Sequence, residues 1–446
     1  MGERVINSLS TTPKMAQLFS DESVLGAMFA FEVALARAEA AAGVIPAEAV
    51  APIEAAAHAE WYDAEEIAAA SLRSGTVTIP LVKALTERVR ANNPSAAGWV
   101  HWGATSQDVA DTAIVLLLKQ ARAILQSDLK RIEDALRRLS DEHAATLMLS
   151  RTLLQAAVPT TFGLKTAGWL GAVRRSRSRM EDVFQDALLI QLGGAGGTLA
   201  SLGNKGTIVG EAMARELALG YPDAPWHTHR DRLAALLSAL GVMTGSLGKM
   251  ARDVSLMSQN EIGEVAEPAA KGRGGSSAMP HKQNPVGCTL TLAAAQRLPG
   301  LVSSYLSAMV QEHERAVGGW QAEWATISSI VQSAGLAAAS MAEVAEGLTV
   351  DPAHMRANVD ATRGTILAER ATILLSGKVG RELASALVAR ALASTGEARD
   401  FVDALAEMPE VAKALDAATL KDLRSPENYL GSAEGFRRKL AGPQKS

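Results

Sequence analysis

The stretch Ile114-Val-Leu-Leu-Leu-Lys-Gln-Ala-Arg-Ala-Ile-Leu-Gln-Ser-Asp-Leu-Lys-Arg-Ile-Glu-Asp-Ala-Leu-Arg-Arg-Leu139 decides the fold. Apolar side chains at Ile114, Leu117, Leu118, Ala121, Leu125, Leu129, Ile132, Leu136 and Leu139 recur every three or four residues, the period of one helix face. Thr105 or Ser106 opens this helix, because a hydroxyl there caps free backbone N–H groups. The pattern implies a helix of roughly 35 residues, ~50 Å long. A stripe that long is buried only by neighbours of like length. The chain offers four: residues 160–192, 229–263, 285–315 and 320–347. Alanine runs at 293–295 and 337–339 let such helices approach closely. The expected core is therefore an elongated bundle of five long helices, with apolar surface left over for self-association.

Before the bundle, Ser20 caps a helix that carries Leu25, Met28, Phe29, Glu32 and Leu35 and stops at Gly43. Shorter helical stretches follow near 47–58, 64–72 and 80–91, and Pro94 and Gly98 mark a break. Asp351-Pro352 begins a new pattern. The expected division is an N-terminal helical domain over 1–104, a central long-helix domain over 105–350 and a C-terminal helical domain over 351–446. The fold class is all-α.

Composition narrows the function. Of 446 residues, 48% are hydrophobic but only 4% are aromatic, so alanine and leucine supply the apolar mass, as helices prefer. The net charge of −4 leaves no basic footprint for nucleic acid. Cys288 is the only cysteine, which excludes an internal disulfide framework. The N-terminus lacks a signal-peptide core, and no run of about 18 apolar residues reads as a membrane span. A cytoplasmic protein is expected. His227-x-His229 has no obvious third ligand, so no metal is expected, and no cofactor motif is present. Gly193-Gly-Ala-Gly-Gly197 fits no nucleotide-loop template and reads as a tight turn.

Chemistry concentrates in Lys271-Gly-Arg-Gly-Gly-Ser-Ser-Ala-Met-Pro-His-Lys-Gln-Asn-Pro285. Gly274 to Ser277 form a loop whose backbone can approach a ligand. Asn284 and Pro285 read as a cap and first residue of the next helix. Two hydroxyls, the Lys282 ammonium and a helix N-terminus thus fall together, which suits a ligand that gains negative charge as it reacts. Two further segments carry similar features. Thr105 and Ser106 follow Val100-His-Trp-Gly-Ala, and Arg151, in Ser150-Arg-Thr-Leu-Leu-Gln-Ala-Ala-Val-Pro-Thr160, offers a fork for a carboxylate and precedes an expected helix start.

These three segments, in this order, resemble the signature regions of the fumarase/aspartase superfamily. The resemblance runs from about Phe19 to beyond Leu348. It implies an all-α fold with a five-helix central domain and a tetramer with a twenty-helix core. It also implies sites assembled from three chains. Ser276 matches the family's catalytic base, and Lys282 and Asn284 match residues that stabilise an enolate-like intermediate. His101, Thr228 and His229 align with substrate-contacting positions, although glutamine is more usual at 229. Thr105, Ser106, Arg151, Thr152, Gln155, Ser277, Met279, His281 and Arg315 complete the implied substrate-binding set.

One departure is informative. Relatives that expel an amine carry a histidine after Arg-Thr to protonate it, and usually a second in the same segment. Here those positions are Leu153 and Ala156. Neither moves a proton. A carboxylate, with an acid pKa of about 4, leaves as the anion at neutral pH and needs no acid. That points to the lactone-forming branch, the carboxymuconate cycloisomerases of protocatechuate (β-ketoadipate) catabolism. Residues 31–46, 225–232 and 311–316, with Trp320 and Glu323-Trp324, are also similar to that branch. The implied substrate is a small tricarboxylate, and Ser276, His281 and His313 are rival proton carriers. An adenylosuccinate-type lyase with a displaced acid and a non-catalytic bundle protein stay open as alternatives.

Overall fold

A computed structural model describes residues 4–269, 272–275, 278–279 and 281–442. Ser276 and Ser277 lie outside the described residues. The five long helices are present. We label the helix before them α1 (Asp21–Ala41), and the five α2 (Ser106–Glu142), α3 (Phe162–Ala187), α4 (Asp231–Met257), α5 (Val286–Ser307) and α6 (Gly319–Gly347). The stripe of α2 is buried as its period requires: Leu117, Leu118, Ala121, Ile132 and Leu136 are fully covered. Ser20 caps α1, its hydroxyl accepting from the Ser23 N–H. Two helices, α4 and α6, are long and apolar enough by composition to cross a bilayer, but their most apolar windows are 61% and 67% buried within the fold. They are core helices.

Residues 150–160 are not the irregular break expected before the start of α3, although that helix follows as expected. They belong to an antiparallel hairpin of β1 (Leu147–Thr152) and β2 (Gln155–Thr161), with Met148 opposite Thr160 and Thr152 opposite Gln155. Only then does α3 begin. Pro159 fits because it lies beside an irregularity in the ladder, between Leu149 and Arg151. The tip is Leu153 and Leu154, both in the left-handed conformation at φ 50° and 67°. This is the backbone of a tight hairpin turn, and it normally selects asparagine or glycine. A second, minimal pairing joins β3 (Val265–Ala266) to β4 (Thr349–Val350). Three of the bundle helices, α3, α4 and α5, are shorter than expected, whereas α2 and α6 run their full expected length. In particular α5 stops at Ser307, leaving 308–318 as a connection that carries His313 and Arg315.

The chain forms two compact units. The first comprises residues 1–129, 175–248 and 290–340, and the second residues 130–174, 249–289 and 341–446. In the second, the helices after residue 351 pack Leu375, Leu387, Phe401, Leu405 and Leu423 into a core that also takes Leu147 and Leu149 of β1.

Candidate active site

In the first unit the site is built on Asp108, in the first turn of α2. Its carboxylate is fully buried. It accepts from the backbone N–H groups of Thr105 (3.0 Å), Gly193 (2.9 Å) and Gly194 (2.9 Å), and pairs with His227 Nε2 at 2.7 Å. The glycine stretch is thus more than a turn. It is a pair of converging donors that cradles an anion from within the chain. A Cβ at Gly194, where φ is +66°, would lie 2.8 Å from the Gly103 carbonyl oxygen. His227, 4% exposed, is locked in this cluster as a structural partner.

Behind it lies a second buried set. Arg230 forks onto Asp111 (2.7 and 3.0 Å) and Glu323 (2.5 Å), and Trp320 Nε1 donates to Asp111 at 3.1 Å. Buried charges persist when paired and hydrogen-bonded in this way.

On this frame sit the expected ligand contacts. Thr105 turns its hydroxyl to accept from Arg315 Nη1 at 2.8 Å. Arg315 also donates to the carbonyls of Gly194 and Ala195, at 3.3 Å each. No carboxylate pairs with it among the described residues, so its charge is uncompensated there. Thr228 donates its hydroxyl to the His313 carbonyl at 3.0 Å. His229 is exposed, and Ser106 is half-buried, its carbonyl accepting from Thr78. His101 pairs through Nδ1 with Glu32 Oε1 at 2.7 Å. Burial acts to lower the proton affinity of His101, but the charges of Glu32 and Asp108 outweigh it and raise its pKa above the ordinary histidine value.

The second unit carries the other two segments. Arg151 lies at the base of the hairpin tip, with a bidentate grip on Glu264 (2.9 and 2.7 Å), which also accepts from Asn358 at 2.9 Å. Its fork is engaged inside the chain. Thr152, Leu153, Leu154 and Gln155 are exposed at the tip, with Leu153 at 97%. The glycine-rich loop borders a cleft of about 700 Å³ lined by Asn260, Glu267, Arg273, Met279, His281, Lys282 and Asn284. His281 and Lys282 are exposed; the Lys282 backbone N–H donates to the Met279 carbonyl at 3.0 Å, and its ammonium has no hydrogen-bond or ion-pair partner among the described residues. Asn284 donates its backbone N–H to the Gly274 carbonyl at 2.8 Å, tying the loop's two ends.

The helix start after Asn284 holds, with α5 beginning at Val286. Its role differs from expectation. The N–H groups of Gly287 and Cys288 already donate to Glu267, at 3.0 and 2.7 Å. An internal carboxylate therefore seals this helix end, and the end does not offer its dipole to a ligand. Glu267, twenty residues upstream of Gly287, carries no local sequence signal of that contact. Glu32, which sequence reasoning missed as a partner of His101, does carry a signal: it is an acid on the apolar stripe of α1.

The comparisons with known proteins fall on this frame. The chain matches the family model described as Lyase over residues 8–300 and that described as Adenylosuccinate lyase C-terminus over 364–439. A 3-carboxy-cis,cis-muconate cycloisomerase of Pseudomonas aeruginosa is 48% identical over 423 residues, 95% of this chain and 92% of that protein. A nitrosuccinate lyase of Streptomyces davaonensis is 42% identical over 440 residues, 96% of this chain and 92% of that protein. The crystal structure of the 3-carboxy-cis,cis-muconate lactonizing enzyme from Pseudomonas putida superposes with a TM-score of 0.92 at 43% identity, covering 98% of each chain.

Proposed function

The chain belongs to the lyase family of the fumarase/aspartase superfamily, and from that premise we propose that it is a cycloisomerase closing 3-carboxy-cis,cis-muconate to a carboxymuconolactone. The observation that carries this reading is the hairpin tip. Where amine-expelling relatives place a proton donor, Leu153 projects an apolar side chain at 97% exposure. The bond made and broken here is to an oxygen acid that departs as its anion.

The reaction adds one substrate carboxylate oxygen across the distal double bond. A C–O bond forms, and the π electrons move onto the conjugated carboxylate as an aci-carboxylate. Proton delivery to the adjacent carbon completes the lactone. Arg315 and Lys282 offset the substrate's carboxylates, with Thr105, Ser106, Thr152, Gln155, Thr228, His229, Met279 and His281 as further contacts; Arg151, its charge met by Glu264, joins these contacts rather than the charge balance. Lys282 and Asn284 stabilise the aci-carboxylate. Ser276 and Ser277, outside the described residues, keep their proposed roles as proton carrier and substrate contact. The three-domain division at 104 and 350 belongs to the same reading. So do a cytoplasmic homotetramer and sites to which each copy lends one signature segment. The uncompensated charges of Arg315 and Lys282 support it.

The test is direct. Adding the protein to 3-carboxymuconate should abolish the diene's ultraviolet absorbance and yield one equivalent of lactone. Unchanged absorbance overturns the assignment. Nitrosuccinate belongs beside it as a second substrate, because nitrite also departs as an anion and the Leu153 argument covers both.

A further inference from the structure

Glu32 and His101 form a pair that the scheme above does not use. Glu32 lies on the buried stripe of α1, between Met28 and Leu35, and is 2% exposed. A carboxylate there is costly unless paired. One oxygen holds His101 Nδ1 at 2.7 Å, while the other is buried with no hydrogen-bond partner among the described residues. Seven residues on, along the same face, Glu39 is fully buried and neither of its oxygens has a partner among them. Leucine at either position would serve packing better. His101 itself sits at φ +58°, a conformation that costs a non-glycine residue energy and persists only where its surroundings impose it. Its side chain is 17% exposed, and Nε2 has no partner among the described residues.

We infer that Glu32 is a positioning residue: by holding Nδ1 it keeps the His101 imidazole a cation whose Nε2–H donates to a carboxylate of the bound tricarboxylate. This rests on the proposed reaction for the identity of the ligand. The charged groups that act on the ring are Glu32 from α1 and Asp108 from α2; Glu39, farther along α1, acts on Glu32. Asp108 is spoken for by His227 and two glycine N–H groups. Arg315 reaches Thr105, four residues along the chain from His101. Burial first, and the Glu32 charge second, push Glu39 up to about 9, so it keeps its proton at neutral pH. Glu32 is then the carboxylate that faces the imidazolium. As pH rises through the elevated His101 value, the cation is lost and carboxylate binding weakens.

Glu32→Gln keeps an acceptor at Nδ1 and removes the charge, which separates positioning of a cation from a structural tie. In the ligand-free protein, exchange of the histidine C2 hydrogens read by mass spectrometry should show the His101 midpoint falling by about one pH unit or more. KM for 3-carboxymuconate near neutral pH should rise about tenfold with kcat held within about twofold, and the two proteins should converge at about pH 5. Calorimetry with tricarballylate should show the same loss of affinity without turnover. His101→Gln should weaken tricarballylate binding equally, and the double variant no further. An unchanged His101 midpoint, or a fall in kcat at constant KM, overturns the inference. If 3-carboxymuconate is not turned over, the proposed reaction fails. The exchange midpoint and the tricarballylate affinities still judge the pair.

Discussion

Asp108 and Lys282 are both single charges near the head of a long helix, and the chain treats them in opposite ways. Asp108 is buried and receives four donors. Lys282 is exposed and its ammonium meets no acceptor among the described residues, while the helix beyond it is capped by Glu267. A charge that is saturated from within holds the frame. A charge left open in a cleft is available to a ligand. The same contrast separates Arg230, clamped by two carboxylates, from Arg315, which among the described residues meets only a hydroxyl and carbonyls.

The largest expected effect falls on the saturated side. Asp108→Ala leaves an imidazole and two glycine N–H groups without their acceptor in a dry site. Losing one partner of such a cluster costs about 3–5 kcal/mol. The thermal midpoint should drop by several degrees or the protein should be lost to the insoluble fraction. A midpoint within about 1 °C of the parent would mean that the cradle is not what holds the head of α2.

On the open side the effect should appear in rate rather than stability. Lys282→Ala should lower kcat for lactone formation by about 100- to 1000-fold, the usual cost of removing one preorganised stabilising group. Its thermal midpoint should stay within about 1 °C of the parent. A variant that melts early as well would place Lys282 in the frame and erase the contrast with Asp108.

Glu39 tests what the frame tolerates. Its acid is raised from 4.5 to about 9, chiefly by burial. The unfolded chain ionises this group near its ordinary value, and the folded chain holds the proton until about 9. The group's favourable term is therefore complete below the ordinary value and is lost steadily as pH rises toward 9. The loss is on the order of 3 kcal/mol by neutral pH. Glu39→Met should raise the thermal midpoint, and by more at pH 8 than at pH 5. An equal gain at both would show that Glu39 does not hold its proton across that window.

The saturated and open sides were not equally legible in the sequence. The five long helices were plain because their apolar residues recur at one period over many turns; Thr105 marks the start of α2 chemically, as Ser20 marks that of α1. The hairpin at 147–161 was missed because Gln155-Ala-Ala opens its second strand without apolar alternation and Pro159 interrupts it, which demotes a strand reading. Its pairing comes from packing of Leu147 and Leu149 into the core of the second unit. The open residues were found by motif, since a run of glycines and serines leading to Lys282 has a local signature. Their saturating counterparts were not. Glu267 reaches Gly287, Glu264 reaches Arg151, and Gly193 meets Asp108 across 20 to 113 residues of chain, and such contacts leave no local pattern.

The smallest expected effect is at Leu153, and it bears on the chemistry most directly. If the oxygen that joins or leaves carbon never needs a proton, Leu153→His should leave lactone formation within about twofold of the parent from pH 6 to 8. The turn does not obscure the result. Leu153 and Leu154 both hold positive φ, and histidine enters that region more readily than leucine, so the substitution does not strain the tip. The side chain is also exposed, so no core packing is lost. A null effect on rate with an unchanged midpoint therefore reports on proton demand alone. A tenfold gain in kcat, strongest below neutral pH where the new imidazole is charged, would mean the departing oxygen does take a proton, and Leu153 would then mark a missing acid instead of a needless one.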